Sequence, residues 1–135
     1  MISREKARGL REAGLAWHPR PGDAFSMLGA EFADEVFTVS EMTIESHEFD
    51  TGTILGFNGT TEWALDSVAI EDALWMPRED QLRELLGGTF RSLRADGDGF
   101  VVSTGLVGRE SEYRADAAAD AYADALLALI TAAVA

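Results

Sequence analysis

The chain has no cysteine, a single lysine, two histidines and three prolines. Without cysteine there are no disulfides, no thiolate nucleophile and no cysteine-ligated zinc. The same absence fits a reducing compartment, so a cytoplasmic protein is expected. Two histidines, His18 and His47, leave little material for a histidine-rich metal centre, which takes three or four protein ligands. Cations are scarce as a class. Eleven Lys and Arg stand against twenty-four Asp and Glu, a formal charge of −13. Such a surface does not replace the counterions on phosphates, so nucleic-acid binding is not expected. It favours colloidal solubility, and a protein partner with a basic surface. Lys6 as the lone lysine, with arginine and alanine abundant, matches GC-rich bacterial codon usage rather than a functional signal.

Long apolar runs are missing too. The longest is Ala125 to Ala135, interrupted only by Thr131, whereas a membrane-spanning helix needs about 20 apolar residues. Residues 1–14 carry Arg4, Glu5, Lys6, Arg8, Arg11 and Glu12 and offer no apolar core for export. No membrane insertion is expected.

At 135 residues, 47% apolar and 26% charged, the chain reads as a single domain spanning 1–135. Ser3 is placed to cap a helix from about Arg4 to Ala13, with Ile2 and Ala7 as a weak staple and Gly14-Leu15 as the stop. Its apolar stripe, Ala7 and Leu10, is thin. Trp17 to Asp23 is stiffened by Pro19 and Pro21. Phe25 to Leu28 reads as a short edge strand and Val36 to Val39 as another. Thr43 to Phe49 has no cleanly apolar face, which suits an edge strand.

The most concentrated turn chemistry lies between Phe49 and Leu65. Asp50-Thr51-Gly52 and Asn58-Gly59 flank Thr53 to Phe57, predicting a three-strand meander whose third strand is Thr60 to Leu65. A helix starting at Thr60 or Thr61 is the competing assignment, because Trp63, Ala64, Ser67 and Val68 also fit helical spacing. Ile70 to Ala73 suggests one helical turn. Pro77 suits the first position of a helix carrying Leu82, Leu85 and Leu86 on one side, with Glu79 placed to pair with Arg83 and Gly87-Gly88 as its end. A second β-unit follows: Thr89 to Arg94, a hairpin at Asp96-Gly97-Asp98-Gly99, Phe100 to Leu106, a turn at Gly108, and Glu110 to Arg114. Asp116 is placed to cap a last helix reaching about Val134, its buried stripe running through Tyr122, Leu126, Leu129, Ile130 and Ala133. The fold class that results is α+β: an antiparallel sheet of about six or seven strands, with N-terminal, central and C-terminal helices packed on it. The β-rich halves on either side of the Pro77 helix can also be two sub-sheets.

Candidate chemistry is sparse. Glu45 and His47 stand two apart on one strand, about 7 Å by strand rise, a spacing that serves a metal-ligand pair or a carboxylate orienting an imidazole. It serves a solvated edge strand equally well. Asp96 to Gly99 lacks the spacing and the terminal glutamate of a calcium loop, and Gly56 to Thr60 lacks the lysine of a phosphate loop. No serine occupies a Gly-x-Ser-x-Gly elbow, and Ser46 and His47 leave opposite faces of their strand. Trp17, Trp63 and Trp75 either fill the core or line a pocket near the meander. The candidate ligand- or partner-binding residues are therefore Glu45, His47, Asn58, Thr60, Trp63 and Trp75, with no catalytic residue, no metal site and no cofactor assigned. The place to look is where Trp63 and His47 approach across the sheet.

Three stretches carry a family resemblance: Leu10 to Leu15 with Trp17 and Pro21-Gly22-Asp23; Gly56-Phe57-Asn58-Gly59-Thr60-Thr61-Glu62-Trp63-Ala64-Leu65-Asp66-Ser67-Val68; and Ala73-Leu74-Trp75-Met76-Pro77-Arg78-Glu79-Asp80-Gln81-Leu82-Arg83-Glu84-Leu85-Leu86-Gly87. Together they resemble short bacterial proteins labelled "pilus assembly protein CpaE". The resemblance covers most of the chain and implies a pilus-assembly context. It brings no catalytic residues, and the phosphate-binding lysine loop of the larger proteins under that label is absent. The expected function is a small cytoplasmic binding or regulatory module; the alternative is a metal-assisted hydrolase using Glu45 and His47.

Overall fold

The computed structural model describes residues 1–29, 35–39, 44–49, 52–57 and 67–134. Within them the class is α+β, and every strand pairing is antiparallel. Among the described residues the strands do not form one sheet of six or seven; they are divided, as the sequence reading of separate sub-sheets also allows. Nine described strands make three separate sheets of three. The chain divides into two compact units: a terminal unit of Met1–Ala16 with Met76–Ala135, and an inserted unit of Trp17–Trp75.

In the inserted unit, β1 (Ala24–Met27) is flanked by β2 (Phe37–Thr38) and β6 (Ala73–Trp75). β1 is thus a central strand, not an edge. Phe25 and Ser26 are almost wholly buried, and the Ser26 hydroxyl donates to the Glu35 carbonyl at 2.8 Å. Phe25 also packs at a tilt between Trp17 and Phe37, with ring centroids 5.4 and 5.5 Å apart. Phe25, Val39 and Ala73 form a small core against which Trp17, Met27 and Phe37 pack.

The second sheet is the expected meander in part. β3 (Ile44–Phe49) pairs with β4 (Gly52–Phe57) in unbroken register from Ile44↔Phe57 to Phe49↔Gly52. The third strand is β5 (Ser67–Ala69), whereas the segment Thr60 to Leu65 lies outside the described residues. A single 3-10 turn, Ile70–Asp72, then carries the chain out of this sheet and into β6.

The terminal unit follows its local signals closely. In α1 (Arg4–Glu12) the Ser3 hydroxyl accepts from the Lys6 N–H at 3.3 Å, and the Leu15 N–H returns to the Leu10 carbonyl beyond Gly14, whose φ is +107°. α2 (Glu79–Leu86) begins two residues later than the proline suggests: Arg78 is the cap, its N–H donating to Gln81 Oε1 at 2.9 Å, and Pro77 precedes it. Leu82 and Leu86 are buried but Leu85 is 42% exposed, so the apolar side is narrower than expected. Arg83 is turned onto the Phe90 ring, 4.3 Å from its centroid, and Phe90 stacks on Tyr122 at 5.7 Å.

β7 (Phe90–Asp96), β8 (Gly99–Leu106) and β9 (Arg109–Ala115) form the third sheet. Gly97, at φ +61°, turns the first hairpin; Val107 and Gly108, at +49° and +75°, turn the second. α3 (Ala118–Val134) packs on β8 and β9 and receives α1 and α2 on its other sides. Flanked in this way, it buries Ala119, Ala121, Tyr122, Ala123, Ala125 and Leu126, which is most of its first half rather than one stripe. Toward the C-terminus Leu129 and Ile130 are half-buried and Ala133 is exposed. Asp120 and Asp124, one turn apart, hold α1: Asp120 Oδ1 accepts from the Ser3 N–H at 2.7 Å, and Asp124 Oδ1 lies 2.7 Å from Lys6 Nζ.

Candidate functional site

The unit boundary exposes a strong partition of charge. Residues 17–75 hold twelve Asp and Glu against Arg20 alone, a net −11. Residues 1–16 and 76–135 hold twelve against ten, a net −2, and the two together account for the −13. Nearly the whole net charge of the chain thus lies in the inserted unit. A domain of that net charge repels itself, at a cost in its own stability, and draws cationic partners toward it.

Among the described residues, Asp23, Glu35, Glu71 and Asp72 fall into two kinds by local structure. Asp23 is structural. It is 2% exposed, and its Oδ2 accepts from Trp17 Nε1 and from the Arg20 N–H, both at 3.0 Å. Its backbone carbonyl takes the Val39 N–H at 2.8 Å, tying the proline-stiffened entry segment to the end of β2. Trp17 is therefore a hydrogen-bonded part of the core and is fixed there. Glu35, Glu71 and Asp72 by contrast are exposed, the last two on the 3-10 turn between β5 and β6.

Glu45 and His47 occupy alternate positions of β3, opposite Gly56 and Ile54, and among the described strands β3 is an outer one of its sheet. Alternation and edge position are as the sequence suggests. Asn58, Thr60 and Trp63 lie outside the described residues, and with them the expected meeting of Trp63 and His47. Trp75 lies in β6 opposite Phe25, in a different sheet from Glu45 and His47. Among the described residues its indole Nε1 is a buried side-chain donor without a hydrogen-bond partner. No group of three or more His, Asp and Glu converges to hold a metal ion among the described residues. Nor is any helix among them long and apolar enough to cross a membrane.

What sequence reasoning missed here is the partition itself. The signal is present, since a single cation occurs between Trp17 and Trp75, but it gains meaning only once those residues are known to fold as one body. No family model, curated protein or solved structure matches the chain.

Proposed function

We propose that the chain is a non-catalytic binding module that docks a basic protein partner on the acidic unit of residues 17–75. The observation that carries this reading is the net −11 placed on that unit while the rest of the chain is nearly neutral. Solubility alone asks for net charge, not for its concentration on one body. A unit that tolerates so much self-repulsion gains most when a cationic surface neutralises it, and complementary fields speed that encounter. The β3 edge and the turn carrying Glu71 and Asp72 are the surfaces that such a partner meets. A cytoplasmic pilus-assembly setting is the context that the family resemblance suggests for it.

The test is capture from a native lysate at low salt, stepwise elution with NaCl, and identification of what is released. The same capture is run with a variant carrying Glu45→Gln, Glu48→Gln, Glu71→Gln and Asp72→Asn. The reading expects a basic protein, eluted by salt and lost with the variant. A partner that is acidic, or that the variant retains equally at all salt concentrations, overturns it.

A further inference from the structure

A second site, independent of the acidic unit, lies in the terminal unit. Between the C-terminal turns of α3 and the β8–β9 end of the sheet runs an open groove of about 490 Å³, within the range of small-molecule sites. It exists because α3 presents Ala125 and Ala128 there, side chains too small to close the space above the strands. Leu129 completes the helix wall, and Leu106 and Val107 form the rim. Both rim residues are exposed, Leu106 at 48% and Val107 at 96%. Val107 also holds a φ of +49°. A β-branched residue in that region is an outlier, and a fully exposed valine at a hairpin tip repays it with no packing inside this chain.

The polar side of the groove is set by Arg109. The sheet carries four arginines, and three are engaged on its other face. Arg91 donates to the Gly88 carbonyl, Arg94 bonds Glu112 and Ser103, and Arg114 bonds the Asp96 carbonyl. The Arg109 side chain makes no ion pair or hydrogen bond among the described residues. Arg109 is exposed, and it gives one end of an otherwise uncharged groove a positive group to which an anion from outside is suited. One guanidinium matches one carboxylate in a forked pair. A phosphate dianion calls for a second cation, and Arg109 is the one charged residue among the groove's lining.

We propose that this groove binds a medium-chain monocarboxylate, its hydrocarbon laid along α3 and its carboxylate held by Arg109. The test uses the full chain and decanoate, followed by calorimetry and by ¹⁵N chemical-shift changes. Saturable binding is expected, with shifts at Arg109, Ser111 and Ala128. Acetate, lacking the tail, and decylamine, with the opposite charge, are expected to bind about tenfold or more weakly. Arg109→Gln is expected to weaken decanoate about tenfold and to leave 1-decanol unchanged. Ala128→Phe fills the groove and is expected to weaken both. If its far-UV spectrum shows a fold lost, Ala132→Phe, nearer the exposed helix end, serves instead. Non-saturable uptake, equal affinity for decylamine, or indifference to Arg109→Gln overturns the proposal.

Discussion

Two glycines of β8 provide a sharp test of how the third sheet is packed. Neither Gly99 nor Gly105 has a positive φ, so alanine at either is a question of space alone. A Cβ on Gly99 lands 2.8 Å from the Ala115 carbonyl oxygen and 3.0 Å from the Arg114 guanidinium. The first neighbour is backbone of the adjacent strand and yields only if the β8–β9 ladder shifts. A Cβ on Gly105 lands 2.9 Å from Arg91 Nε, and its three nearest neighbours all belong to that side chain. Arg91 is exposed and can swing away, at the loss of its 2.6 Å bond to Gly88. Overpacking costs about 1–3 kcal/mol where nothing yields, and glycine-to-alanine returns about 0.4–1 kcal/mol through the unfolded chain. Gly99→Ala should therefore destabilise by about 1–2 kcal/mol, and Gly105→Ala should stay within about 0.5 kcal/mol of the parent. Far-UV circular dichroism is the appropriate probe, because α1, α2 and α3 all belong to the terminal unit, whereas Trp17, Trp63 and Trp75 all belong to the inserted one. In urea melts followed at 222 nm, only Gly99→Ala should lower the midpoint clearly. Adding Arg114→Ala should not rescue it, since the carbonyl remains. Equal losses for both glycine variants, or full rescue by Arg114→Ala, would refute the reasoning.

Three further outcomes are expected. Val107→Asn should raise the stability of the terminal unit by about 0.5–1 kcal/mol in the same assay, because asparagine tolerates the left-handed region that valine resists. Alkaline pH should loosen this unit. Lys6 is held above its ordinary range by its hydrogen bond to Asp124, so its contribution is complete below about pH 10.5 and lost as pH rises through the raised value. Tyr122 is also pushed up, by burial, so stability falls further once the unfolded chain ionises near pH 10; Lys6→Met with Tyr122→Phe should flatten thermal midpoints between about pH 9 and 11. Trp75→Phe should cost under about 1 kcal/mol by tryptophan-monitored urea melts, since it removes a buried donor that has no partner among the described residues, along with some packing.

The parts of the fold written in short-range chemistry were legible. Ser3 and Gly14 bracket α1, Gly97 and Gly108 mark two hairpins, and Glu45 and His47 fall on an outer strand. What escaped was non-local. Ala73–Trp75 is only three residues long, and its pairing with β1, some fifty positions earlier, has no local signature. For the same reason Phe25 reads as an edge residue, although a strand and an aromatic ring lie on either side of it. Leu85 satisfies helical spacing but sits beyond what α3 covers. Of the two sites, Arg109 could not be singled out by sequence, since its neighbours Arg91, Arg94 and Arg114 look alike until their partners are seen.

The central claim is that residues 17–75 form the docking surface for a cationic partner. The most direct measurement is the footprint of the captured basic partner on the ¹⁵N-labelled full chain, taken at low and at high salt. The account predicts chemical-shift changes concentrated between Trp17 and Trp75, including β3 and the Glu71–Asp72 turn, and fading as NaCl rises toward 1 M, where the screening length falls to about 3 Å. A footprint confined to residues 1–16 and 76–135, or one that salt leaves unchanged, would contradict it.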